Sequence, residues 1–211
     1  MTAGTPRPVD ELVAATKVLV GAGVMSPTGH INASARTGDE RMLLTSLGLV
    51  HELTPETFAT VTFDGEVVDG HLDASTREIV GMHAAVYRCR AATQSVVHTH
   101  SPHLTAFALA NQPLACRYEA LLRRGQRSAV PVVPWAPRGS AAFTEGVGRA
   151  VERHAASWAV LLGNHGVLVF GSSPMAAAKL LVTLEEAAAA ELRAIALGGA
   201  RDLPSGALAD G

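Results

Sequence analysis

Ser95-Val96-Val97-His98-Thr99-His100-Ser101-Pro102-His103 packs three imidazoles into nine residues, two of them straight after a pair of valines. On a strand the side-chain period of two puts His98 and His100 on one face. Imidazoles at a strand end lose little freedom on binding, and their nitrogens suit zinc, iron, copper and nickel. Pro102 fits the first residue of a helix, so the pair stands at a strand-to-helix turn. Two of nine histidines falling together by chance is the competing reading, and this spacing alone does not separate the two.

A third ligand is offered by Leu161-Leu162-Gly163-Asn164-His165-Gly166-Val167. An apolar strand from Trp158 to Leu162, a glycine-flanked turn and a second apolar strand from Val167 to Phe170 read as a hairpin with His165 at its tip. A lone histidine on a turn is usually a solvated residue. Joined to His98 and His100, it would complete three protein ligands and leave a fourth position open, as in catalytic rather than structural zinc sites.

The rest of the chain sets limits. At 211 residues without a proline- or serine-rich linker, one domain is expected, with 48% hydrophobic residues for its core. A formal charge of −2 and no basic stripe argue against nucleic acid as a partner. No apolar run is long enough to span a membrane, and the polar start Met1-Thr2-Ala3-Gly4-Thr5-Pro6 is unlike a secretory signal. Cys89 and Cys116 make no disulfide framework. A cytoplasmic protein with reduced thiols is the expectation.

Asp10 is expected to cap a helix with Leu12, Val13, Thr16, Leu19 and Val20 on one face, ended by Gly21 and Gly23. From Gly29 to Arg36, Ile31, Ala33 and Ala35 alternate with His30, Asn32 and Ser34, so one face of that strand is wholly hydrogen-bonding. That face either lines a site or meets solvent. Arg41 to Thr45 reads as its partner, running into Thr45-Ser46-Leu47-Gly48, a turn where hydroxyls and N–H groups can converge on an anion. Asp64-Gly65 between Phe58–Phe63 and Glu66–Val68 signals another hairpin, and successive hairpins imply a largely antiparallel sheet. Ser75-Thr76-Arg77-Glu78 has capping-box spacing before a helix bearing Val80, His83, Ala84 and Tyr87. Further helices are read over 102–110 and 118–124, from Ser140 to about His154, and from Pro174 to about Gly198, with a strand over 130–133. The domain is drawn over 10–198, between flexible ends at 1–9 and 199–211.

Taken together the chain resembles the class II aldolase/adducin family from about Asp10 to Leu197. The likeness rests on Val96 to Pro102 and Leu161 to Gly166, supported by Gly29 to Arg36, Leu44 to Gly48, Glu52 to Glu56, His83 to Arg88 and Pro131 to Ser140. The resemblance implies a three-layer α/β/α sandwich around a mostly antiparallel sheet, and one divalent metal on His98, His100 and His165, with zinc first and iron, cobalt or manganese as alternatives. It also implies a homotetramer with sites near subunit interfaces. In sugar-phosphate members the reaction is retro-aldol cleavage through a metal-stabilised enediolate. By the same resemblance a substrate anion lies against Gly29, His30, Asn32, Thr45, Ser46, Gly48, Ser75 and Thr76, and Tyr118 takes the place of a tyrosine that protonates the leaving aldehyde from a neighbouring subunit.

The departures bear on the chemistry. His30 stands where sugar-phosphate aldolases usually have asparagine, a change associated with decarboxylase-like branches. Glu78, the expected acid/base, falls one residue farther from His83 than the family spacing, a rotation of about 100° on a helix. Glu119 is therefore a second candidate. Arg77 suits a carboxylate anchor as well as a phosphate. The expectation is a metal-dependent lyase of the aldolase type acting on a small hydroxylated carbonyl compound with an anionic group. A dehydratase, decarboxylase, epimerase or non-heme iron oxygenase on the same fold is the alternative. A non-catalytic adducin-like module is disfavoured because all three histidines are kept.

Overall fold

The computed structural model describes residues 7–204 and 206–208; the outermost parts of the expected flexible ends lie outside the described residues. An eight-stranded mixed sheet forms the middle layer. In chain order it comprises β1 (Ile31–Gly38), β2 (Arg41–Thr45), β3 (Phe58–Thr62), β4 (Val67–Asp69), β5 (Ser95–Thr99), β6 (Val132–Val133), β7 (Ala159–Leu162) and β8 (Gly166–Gly171). Their spatial order is β4-β3-β2-β1-β5-β8-β7-β6, and every pair is antiparallel except β6 with β7. Central strands carry continuous apolar runs because both faces are covered.

Even and odd positions feed two cores. Val97, Val167, Val169 and Leu161 point to one face, where α1 (Pro8–Gly21), α4 (Pro102–Leu109) and α6 (Pro174–Ala194) pack. Val96, Leu168, Phe170 and Leu162 point to the other, against α3 (Val80–Cys89) and α5 (Ala141–Arg153), with the short α2 (Ala74–Arg77) just before α3. The result is the expected three-layer sandwich. No helix among the described residues is long and apolar enough to cross a membrane.

Several local expectations are corrected. The first helix starts at Pro8 with Arg7 as N-cap, and Asp10 sits inside it, paired with Arg7 at 2.8 Å instead of capping. Proline at the first helical position needs no N–H partner, which lets the helix begin earlier. Val20 is exposed, whereas Ala15 is buried. The Ser75-to-Glu78 capping box does not form. Asp73 caps α2 by accepting from the Ser75 N–H at 2.8 Å and hydroxyl at 2.6 Å, and Glu78 becomes the C-cap where the helix breaks before α3. An ionised acceptor at the N-cap outcompetes a hydroxyl there. The 118–124 segment is a 3₁₀ turn over Glu119–Arg124.

Candidate metal centre

The site is built at the ends of β1 and β5 and at the β7–β8 turn. Asn32 on β1 pairs directly with His98 on β5, and His98 with Leu168 on β8, so Asn32 and His98 share the face turned toward α3 and α5. The turn after β7 brings His165 back over that face, with Asn164 in the left-handed region at φ 56°. The rings then cluster. His98 lies 5.1 Å from His100 and 4.7 Å from His165 between centroids, and His100 lies 5.0 Å from His165.

A fourth imidazole joins them. His30 stacks on His100 at 4.5 Å and stands 5.6 Å from His98. Nitrogens of His30, His98 and His100 all come within 4.8 Å of one another. Sequence reading placed His30 with the substrate; here it also belongs to the histidine cluster.

The donor set fits a divalent metal. His98 Nδ1 lies 3.0 Å from the Val167 carbonyl, which accepts its proton and leaves Nε2 with a free lone pair. Nε2 of His98 and Nε2 of His100 are both buried with no hydrogen-bond partner. Burial favours the neutral form of all four rings, the form in which imidazole ligates a metal. Burial lowers the pKa of His98 well below the usual imidazole range and that of His100 to about 4; His30 and His165 are lowered by burial and then by neighbouring positive charge, Arg138 included.

Beside the rings opens a cavity of about 310 Å³, lined by His30, Asn32, Leu47, Gly48, Leu49, Glu52, Asp73, Ser75, Thr76 and Arg138. Five expected contacts, His30, Asn32, Gly48, Ser75 and Thr76, are therefore brought together. Thr45, Ser46, Gly29 and Arg77 are not on its wall. Thr45 Oγ1 accepts from the Ala33 N–H at 3.2 Å, Ser46 Oγ donates to the His71 carbonyl, Gly29 turns the chain at φ 66°, and Arg77 is exposed. Each is drawn into local structure by a nearer partner or, for Arg77, left facing water.

Glu78 is half exposed and pairs with Arg138 at 3.2 Å, so its carboxylate stands next to the cavity wall. Tyr118 lines a different cavity with Arg117, Ala187 and Glu191, and Glu119 pairs with Arg123 at 3.0 Å. Neither is brought to the histidines within one chain. Arg138 was missed by sequence reading, as were Glu52 and Asp73. The available signal for Arg138 was a cation placed between Pro137 and Gly139 in a stiff loop.

The model of the class II aldolase and adducin N-terminal domain matches residues 10–192. The chain is 33% identical over 164 residues to 3-oxo-tetronate 4-phosphate decarboxylase of Pectobacterium atrosepticum, covering 74% of this chain and 71% of that one. It is 30% identical over 138 residues to L-fuculose phosphate aldolase of Escherichia coli, covering 65% of this chain but only 60% of the aldolase. Among solved structures, YgbL of Klebsiella pneumoniae superposes with a TM-score of 0.81 at 27% identity, covering 96% of each chain. An L-fuculose 1-phosphate aldolase at 22% identity has a TM-score of 0.84 over 98% of this chain and 94% of that one, a likeness of fold. Since the match runs from the first helix through nearly all of the last, this protein belongs to the class II aldolase/adducin family.

Proposed function

We propose that the chain is a metal-dependent lyase that breaks or forms a carbon–carbon bond in a small hydroxylated carbonyl compound bearing an anionic group. The observation carrying this reading is the pair of buried, unpartnered Nε2 atoms on His98 and His100 beside a polar cavity. Leaving a buried nitrogen unpaired costs roughly 1–3 kcal/mol, so two side by side make sense as ligands. His98, His100 and His165 hold the ion, with His30 in reach as a fourth imidazole. Zinc suits these donors first, and iron, cobalt or manganese are accepted too. A divalent ion bound there supplies Lewis acidity to substrate oxygens where negative charge develops.

The remaining work falls to the chain. Arg138 orients the substrate's anionic group, and Asn32, whose Oδ1 is buried without a partner, accepts a substrate hydroxyl. Glu78, held against Arg138, takes the hydroxyl proton as the bond breaks and returns it in the reverse direction. Tyr118 and Glu119 reach such a site only from a neighbouring copy, consistent with a homotetramer in which the tyrosine protonates the leaving group.

Decarboxylation of an oxo acid on the same residues is the second reading. It is supported by His30 at the cavity and by the decarboxylase relative at 33% identity.

Metal analysis tests the centre. Purified protein should carry about one divalent ion per chain, lost in His98→Ala and His165→Ala. Retention in His165→Ala with loss in His30→Ala would move the third ligand to His30. Glu78→Gln should cut turnover by about 100-fold or more; if only Glu119→Gln does so, the acid/base role passes to Glu119.

A further inference from the structure

We infer that His30 is a positioning residue for the metal ligand His100, stacked on its ring without ligating the ion, and that through this stack an anion on the Leu47-Gly48-Leu49 loop is felt at the metal. The inference rests on the lyase reading, in which His98, His100 and His165 hold the ion.

Reach and aim differ at this cluster. A nitrogen of His30 comes within 4.8 Å of nitrogens of His98 and His100. The lone pair of an imidazole nitrogen lies in the plane of its ring, so rings that share one ion at about 2.0–2.1 Å must have planes that meet there. The planes of His98 and His100 cross at 76°, and each crosses that of His165 at 58°. His30 instead lies nearly parallel to His100, with 16° between planes and 4.5 Å between stacked centroids. An ion in the plane of His100 is therefore out of the plane of His30.

His100 lacks another support of this kind. A ligating histidine is usually oriented by a hydrogen bond from its second ring nitrogen. His98 has one, from Nδ1 to the Val167 carbonyl at 3.0 Å. The His100 ring hydrogen-bonds to no protein group among the described residues. The stacked ring of His30 takes that role for it.

His30 is in turn held by the loop. It pairs with Leu49 in an antiparallel bridge, flanked by Ile31 N–H to Gly48 O and Val50 N–H to Gly29 O, both at 2.9 Å. Gly48 lies against the ring, for a Cβ there would stand 3.4 Å from His30 Cε1 and Nδ1. On the cavity wall, the N–H groups of Leu47, Gly48 and Leu49 donate to nothing among the described residues. Successive free N–H groups form a concavity that receives an anion. An anion gathering them draws on the loop that touches His30, and His30 bears on His100.

Cobalt(II) loaded in place of zinc tests this, because its visible absorption bands report the geometry of its ligands. Inorganic phosphate serves as the anion. His30→Asn removes the ring, and His30→Phe keeps a ring without nitrogens. The cobalt bands of the parent should shift on saturation with phosphate, and the shift should persist in His30→Phe and be lost in His30→Asn, while calorimetry still finds phosphate bound by both. His30→Asn should hold one cobalt per chain about 10–100-fold more weakly than the parent, and His30→Phe within about threefold of it.

Loss of cobalt from both variants would make His30 a ligand, and a phosphate shift surviving in His30→Asn would mean that the anion acts on the ion without it. Either result overturns the inference, as does a parent with no shift. X-ray absorption on the parent, which needs no variant, should find three imidazoles on the cobalt; a fourth also overturns it. Cobalt bound without these effects sinks this inference alone, whereas a parent that binds no divalent ion sinks the lyase reading.

Discussion

Gly166 shows how the absence of one side chain shapes the centre. A Cβ there would stand 2.6 Å from the Thr99 carbonyl oxygen, 2.8 Å from His100 Cδ2 and 3.4 Å from His98 Cε1. The carbonyl cannot retreat, because β5 is paired to β1 on one side and to β8 on the other. Gly166→Ala should therefore cost about 1–3 kcal/mol through overpacking and lower the metal content. Thermal melting with metal analysis checks this, and an alanine variant matching the parent in both would show that the strands can yield. The sequence marks the glycines around His165 as turn residues, which places the hairpin correctly. The physical reason differs, since Asn164 takes the left-handed conformation while Gly166 provides clearance for its neighbours' rings.

At the scale of elements, the helix following the histidine strand is tied down from across the domain. Ser101 occupies the N-cap of α4 without making a side-chain cap bond. Glu185 on α6 does the capping, accepting from the His103 N–H at 2.8 Å, the His103 ring Nδ1 at 2.8 Å and the Leu104 N–H at 2.9 Å while only 6% exposed. Glu185→Ala would leave two amide donors without acceptors, so a loss of about 2–3 kcal/mol is expected. Urea denaturation measures it, with faster hydrogen exchange at the His103 and Leu104 amides; unchanged exchange there would show that another group caps α4. A tertiary cap of this kind cannot be read from spacing, because its two halves lie more than eighty residues apart. The local cap by Asp73 could have been found, yet Ser75 and Glu78 matched a stronger pattern, and the choice depended on where the helix broke.

Across the whole molecule, the sheet and the α3 layer are joined by a buried polar link: Ser34 Oγ lies 2.8 Å from His83 Nδ1 and 2.8 Å from the Tyr87 hydroxyl. This is where the polar face of the first strand goes, into the interface and the cavity instead of solvent. Burial lowers the His83 pKa to about 3. Unfolded His83 takes up a proton near pH 6.5 and the folded residue does so only near pH 3, so the folded state loses ground as pH falls between them. The slope is about 1.4 kcal/mol per pH unit, and the contribution is fully present above pH 6.5. Denaturant titrations of chelated protein from pH 7 to 4 should show a shallower decline in His83→Gln than in the parent; equal slopes would mean that His83 is accessible to protons.

By itself the sequence determined the strands, the hairpins at Asp64-Gly65 and Gly163 to Gly166, the shared face of His98 and His100, and the family. Such features follow from side-chain period, turn residues and short motifs, all of them local. Only the tertiary structure decided that His30 joins the cluster, that Arg138, Glu52 and Asp73 form the cavity wall, and that Ser46 and Thr76 spend their hydroxyls on the protein. Those outcomes depend on strand order and on competition among distant hydrogen-bond partners, which are properties of the packed chain and have no period to read.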